Sequence, residues 1–262
     1  MAIGSILSNF KSVKLSTADG KSYSLKMSLL NRLAIKIFGI PHLGFKNRAR
    51  KILNIVGSLK KINRVLDAGA GYGIYSMMLA EKGYNVDSID ISKERIKEIS
   101  KRTKEYPKIQ TKINAKVGSL TKLPYPPKSF DLIICSEVIE HISKDSIAMW
   151  EMARVLKKGG SLILTVPTES SNNKKIYRKF GHVRPGYSIN KIRELAQKNN
   201  FEIKEVSFYE YKLGDALFKI HNDIKSKIGL ALSFYFLYLG YLLDGFIKIG
   251  EPNQAVVLLE KK

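Results

Sequence analysis

From residue 64 onward, short apolar runs alternate with longer amphipathic stretches. Runs rich in Val, Ile, Leu and Phe predict strands at Arg64–Asp67, Asn85–Asp90, Ile113–Val117, Phe130–Ser136, Ser161–Val166, Phe201–Tyr209 and Gln254–Glu260. Helices are expected between them at Ile74–Lys82, Lys93–Glu105, Asp145–Leu156 and Ile189–Asn199, with Ser188 placed to cap the last. Such alternation implies parallel strands joined by right-handed crossovers, an α/β fold of the doubly wound type. Upstream, Leu29–Phe38 and Lys46–Leu59 read as helices split by the proline and two glycines of residues 39–44. Residues 1–60 are therefore expected to form a helical cap on a domain spanning 61–262, and no internal repeat interrupts either.

The most informative stretch is Val65-Leu66-Asp67-Ala68-Gly69-Ala70-Gly71-Tyr72-Gly73. A strand ends in an acid, and glycine then takes every second position before a helix begins. Glycine permits the positive φ of a tight turn and leaves no Cβ between backbone and ligand, while the following helix start presents free amides. A dinucleotide site of the G-x-G-x-x-G type would need glycine at position 74, where this chain has Ile74. That departure disfavours NAD and FAD. Asp90 ends the next strand 21 positions after Gly69, close to the ~20-residue spacing at which such a unit sets a carboxylate on ribose hydroxyls. Ser92, just beyond, suits the N-cap of the next helix better than Asp90 does.

Together with the segments Phe130 to His141 and Glu151 to Pro167, these motifs resemble the class I S-adenosylmethionine-dependent methyltransferases, in particular the small-molecule group with quinone- and sterol-type enzymes. The resemblance covers about residues 60–210. It implies a Rossmann-like, seven-stranded, mostly parallel sheet with helices on both faces, and S-adenosylmethionine as cofactor. It also implies that Gly69, Gly71 and Gly73 receive the amino-acid end of the cofactor, with Asp67 orienting the loop and facing the ammonium. Asp90 then holds the ribose and Ile91 packs on the adenine. Many relatives carry an acid where Ser119 stands; Ser119 keeps an acceptor without the charge, and the Leu120 amide is a second contact for the ring.

Ser136 and Glu137 end a strand at the carboxyl edge, where open α/β sheets bind ligands, which makes Ser136 a cofactor-rim candidate. His141 is the candidate general base, since imidazole accepts a proton near neutral pH. His182, in Gly181-His182-Val183-Arg184-Pro185, is the second catalytic candidate, and Arg184 is a candidate anchor for an anionic substrate group. No His, Cys, Asp or Glu set has metal-ligand spacing, so no metal is expected.

Net charge is +22, and the first sixty residues hold eleven Lys or Arg against one acid, Asp19. Nucleic acid, an anionic membrane and plain solvated lysine faces are all compatible with that field. The single cysteine, Cys135, excludes an internal disulfide and is expected to be a buried spectator in a reducing, cytoplasmic setting. Residues 213–250 form an insert between the last two strands, and Ile228 to Ile247 carries one charge, Asp244. A single membrane span would separate two strands that pair in this fold. The insert reads instead as a surface helix on the inner face of a membrane, a re-entrant hairpin, an apolar lid or a dimer interface. The expected function is methyl transfer to a small or lipid-like acceptor, a quinone, polyprenyl-type lipid or lipid-linked glycan, at oxygen or carbon. RNA methylation is the same-fold alternative, disfavoured by the apolar insert and by Cys135-Ser136-Glu137-Val138, which lacks an Asn-Pro-Pro-aromatic signature. A silent binding protein is the other.

Overall fold

The computed structural model describes residues 12–16, 22–26, 43–170, 174–175, 177–209 and 250–262. Its main sheet has seven strands: β3 (Arg64–Ala68), β4 (Asn85–Asp90), β5 (Ile113–Val117), β6 (Phe130–Ser136), β7 (Leu156–Pro167), β8 (Phe201–Tyr209) and β9 (Gln254–Lys261). They lie in the order β5-β4-β3-β6-β7-β9-β8. β9 runs antiparallel to both neighbours, and the pairings from β5 through β7 are parallel. The strand order reverses direction between β3 and β6, which opens a crevice at their carboxyl ends.

Period-two alternation in the central strands feeds both faces of the sheet. Leu66, Ile133, Cys135, Leu162 and Leu164 face one layer, with Met149, Met152 and Ile192 packed over them. Val65, Leu132, Ile134 and Ile163 face the other, against Ala49, Ile52, Val56 and Met78. The first layer holds α5 (Asp145–Val155) and α6 (Ile189–Lys198); the second holds α1 (Leu43–Ser58) and α2 (Ile74–Glu81). α3 (Lys93–Glu105) and α4 (Pro107–Gln110) fill the crossover to β5. Local chemistry sets the helix starts. The Ser92 hydroxyl accepts the Arg95 amide at 3.3 Å, and the Ser188 hydroxyl accepts that of Lys191 at 3.2 Å. Each such cap is worth ~1 kcal/mol. Cys135 is fully buried, and burial pushes its thiol well above the ordinary range, so it is inert.

Three expectations need correction. The segment 1–60 is not purely helical: β1 (Ser12–Ser16) and β2 (Ser22–Lys26) pair as an antiparallel hairpin. α1 starts at Leu43, inside the stretch that glycine and proline were expected to break, because Gly39 and Pro41 both lie ahead of it and Gly44 falls in its first turn, where a glycine is tolerated. β7 begins at Leu156 rather than Ser161, since Leu156 already pairs with Phe130 before a register shift. The helix expected over Leu29–Phe38 and nearly all of the 213–250 insert lie outside the described residues. Among the described residues, no helix is long and apolar enough to cross a membrane.

The loop leading into β6 is braced from α5. Glu151 accepts the Leu123 amide at 2.5 Å and binds Arg154, whose guanidinium donates to the carbonyls of Tyr125 (2.8 Å) and Leu123 (3.0 Å). Truncation of Arg154 to Ala leaves the mostly buried Glu151 carboxylate with the Leu123 amide alone, and the carbonyls of Leu123 and Tyr125 without the guanidinium. Charge-assisted bonds of this kind contribute ~1.5–3 kcal/mol. Arg154→Ala is expected to lower unfolding free energy by about 2 kcal/mol in urea melts with an unchanged slope. A loss below about 0.5 kcal/mol would mean that water replaces the brace.

Candidate active site

The glycine turn leaves β3 and is stitched to the end of β4. The amides of Gly69 and Ala70 both donate to the Ile89 carbonyl, at 2.8 and 2.9 Å, and the Gly71 amide donates to Asp90 Oδ2 at 2.9 Å. Asp90 Oδ1 accepts the Ser92 amide at 2.9 Å, and the Arg95 guanidinium stands 3.6 Å from Oδ2. The buried Asp90 carboxylate therefore ties the loop to the strand beside it. Each of its oxygens has two lone pairs, so further donors can be accepted.

All three glycines hold positive φ, +79° at Gly69, +55° at Gly71 and +75° at Gly73, yet their surroundings differ. A Cβ on Gly69 would sit 2.4 Å from Val138 Cγ2, and one on Gly73 would sit 2.7 Å from Ile99 Cγ1. A Cβ on Gly71 would meet nothing within 4 Å. Two of the glycines thus serve close packing within the protein, and only Gly71 presents bare backbone to the crevice.

Asp67 lies beneath the turn, buried, with Oδ2 accepting both the amide (3.0 Å) and the hydroxyl (2.5 Å) of Ser76. Burial pushes its carboxyl up to about 6 against the pull of those two bonds. Ile91 is 76% exposed beside Asp90, an apolar surface free to take a flat ring. Ser119 is turned onto its own loop: its hydroxyl accepts the Thr121 amide at 3.2 Å and lies 2.8 Å from the Thr121 hydroxyl. Leu120 is buried in the core below. The Ser136 hydroxyl pairs with that of Thr165 at 3.0 Å.

Beyond β6 the chain makes a single 3-10 turn, Ile139–His141. The His141 ring is edge-on to that of His182, centroids 4.6 Å apart, although 41 positions separate them in sequence. The His182 loop is fastened to this turn by the Val183 amide, which donates to the Glu140 carbonyl at 2.9 Å. Arg184 completes the fastening: it pairs with Asp145 and donates to Tyr187 Oη (2.8 Å) and to the carbonyls of Ile142 (2.8 Å) and Ser143 (3.2 Å). Arg184 is therefore a structural clamp and not an anchor for a substrate anion. Burial, then the neighbouring His141, pull the His182 imidazole down to about 4, so it is neutral at pH 7 and weak as a base.

Several rim residues carried no clear signal in sequence. Arg48 of α1 donates to Tyr75 Oη at 3.1 Å and stands 3.5 Å from Glu137. Glu137 takes a positive φ of +56° and accepts the Thr165 hydroxyl at 2.9 Å. Glu140 is fully buried, and neither of its carboxylate oxygens has a hydrogen-bond partner among the described residues. Burial first, and the Glu137 charge second, push the Glu140 carboxyl well above the usual range. One ligand atom each from Glu140, His141 and His182 lie within 4.8 Å of one another, a grouping that linear spacing did not suggest.

Residues 66–164 match the family described as methyltransferase domain. Ubiquinone biosynthesis O-methyltransferase of Rickettsia typhi is 27% identical over 233 residues, covering 83% of this chain and 86% of its own. Among solved structures, phosphoethanolamine N-methyltransferase 2 of Haemonchus contortus in complex with S-adenosyl-L-methionine superposes with a TM-score of 0.61 at 23% identity, over 82% of this chain and 52% of its own. A geranyl diphosphate methyltransferase in complex with GPP and sinefungin gives 0.62 at 15% identity, over 82% and 78%. With the glycine turn, the paired acid at the end of β4 and the sheet order already in place, these likenesses give the chain a methyltransferase domain over residues 66–164 on the fold of the class I S-adenosylmethionine-dependent methyltransferases.

Proposed function

We propose that the protein moves the methyl group of S-adenosylmethionine to a hydroxyl oxygen on a small quinone-type aromatic acceptor. The observation that carries the cofactor half is the open Gly71 backbone beside Asp90. The R. typhi relative, matched over most of both chains, supports the acceptor class. In this reading Asp67 faces the cofactor's ammonium, Asp90 takes the ribose hydroxyls and Ile91 supports the adenine. Methyl transfer itself needs alignment of the oxygen with the methyl–sulfur bond and exclusion of water more than it needs a strong base. A phenolic hydroxyl must still lose its proton, and His141, on the rim with Nδ1 directed at the Gly181 carbonyl (3.1 Å), has Nε2 available to receive it.

Labelled S-adenosylmethionine incubated with a hydroxylated benzoquinol should yield a labelled O-methyl product, identified by mass spectrometry. Labelling of an amine such as dimethylglycine and none of the quinol would overturn the acceptor assignment. The two glycines separate binding from folding. Gly71→Ala should keep its melting temperature within the effect of one positive-φ alanine, about 1–2 kcal/mol, and lose cofactor binding by roughly tenfold or more. Gly69→Ala should instead lose stability, because its Cβ meets Val138. Equal effects of both on stability would contradict the open crevice.

Asp67 supplies a pH test. Its carboxyl titrates near about 6 in the free protein, so it is charged above that pH and neutral below it. Attraction for the ammonium is thus present above about 6 and is lost as pH falls through that value. Titration calorimetry should show wild-type affinity falling on acidification and a flatter profile for Asp67→Asn. Parallel profiles would remove Asp67 from ammonium recognition.

A further inference from the structure

The carboxylate of Glu140 poses a problem that its surroundings do not solve. It is fully buried, and neither oxygen is bonded to any described group. A buried carboxylate without partners is destabilising by several kcal/mol. The basic groups nearby are spent elsewhere. Arg48 is held by Tyr75 and Glu137, and Arg184 by Asp145, Tyr187 and two carbonyls. The Tyr187 hydroxyl is committed to the Ile139 carbonyl and to Asp145. Glu137, three positions back, adds negative charge to the same rim.

Two imidazoles converge on this acid. His141 directs Nδ1 at the Gly181 carbonyl (3.1 Å), which fixes its proton there and leaves Nε2 with a free lone pair. A carbonyl accepting the far nitrogen is the arrangement by which metal-binding histidines are commonly oriented. His182 carries a buried Nδ1 with no partner among the described residues.

We propose that Glu140, His141 and His182 form a binding site for one divalent first-row transition-metal ion, with its remaining coordination positions open toward the cofactor rim. Two nitrogens and one carboxylate oxygen are a donor set for zinc, manganese, iron or cobalt, whereas calcium and magnesium favour oxygen alone. Donors on such an ion lie roughly 3–3.5 Å apart. The 4.8 Å grouping therefore closes by side-chain rotation, on a backbone already locked by the Val183–Glu140 bond and the Arg184 clamp. The site adjoins the cofactor turn, because Val138, two residues before Glu140, packs against Gly69.

The catalytic use of that ion rests on the O-methylation reading, although the site itself does not. An acceptor hydroxyl bound at an open position is acidified and releases its proton to solvent, and His141 Nε2 then serves as a ligand in place of its role as proton acceptor. The oxygen's electron pair then forms the bond to the methyl carbon while the carbon–sulfur bond breaks, leaving S-adenosylhomocysteine. One proton is released per methyl transferred.

The test uses full-length protein treated with chelator, titrated with Co2+ and followed by visible absorption and calorimetry. One equivalent should bind. His141→Ala, at an exposed position that leaves folding intact, and His182→Asn should each weaken binding by roughly 100-fold or more, beyond the loss typical of an outer-shell change. Affinity for S-adenosylmethionine should be unchanged in both. Absence of Co2+ binding by the wild type, or binding equally tight in both variants, would overturn the site. Retention of Co2+ with no affinity for S-adenosylmethionine would uphold the site and defeat the methyltransferase reading instead. A methylation rate that does not fall at least tenfold in chelator-treated protein would overturn the ion's role in acceptor activation.

Discussion

The bond from the Gly71 amide to Asp90 is the constraint on which the rest of the site depends. It pins the turn after β3 against the end of β4, next to the step from β3 to β6 where the sheet reverses its strand order. One carboxylate thereby does two things: it fixes the backbone that faces the cofactor, and it stands where ribose hydroxyls can reach it. Asp67 works one layer down, holding Ser76 at the start of α2 so that the helix begins in line with the turn. Neither acid could be exchanged for an apolar residue without freeing the loop.

The sheet behind that turn was legible because its signals are local. Period-two runs gave β4, β6 and β8 with the same limits as observed, and Ser92 and Ser188 cap the helices expected to follow them. The pairing of β1 with β2 was missed although Val13 and Leu15 alternate with polar neighbours. β5 is equally short, but it falls within the strand–helix alternation that supports its reading, whereas β1 and β2 precede that alternation.

The site was legible in kind and less so in detail. Gly69, Gly71 and Gly73 look equivalent in sequence, yet Gly69 answers to Val138 and Gly73 to Ile99. Those partners lie far along the chain, and nothing in the motif announces them. Arg184 suggested anion binding, but a partner nearly forty residues away, Asp145, takes its charge. The same loop closure brings His182 onto Glu140 and His141. Tertiary proximity of this sort is invisible to spacing rules, which is why a reading from linear motifs did not bring these three side chains together.

The most direct test of the central claim is a nuclear magnetic resonance titration of protein labelled with 15N-glycine, using S-adenosylhomocysteine as the probe. If the cofactor is held at the turn, the Gly71 amide should shift strongly, since its N–H lies between Asp90 and the crevice, while Gly57 and Gly159 stay fixed. Saturable shifts confined to glycines away from residues 69–73, with Gly71 unmoved, would contradict the account.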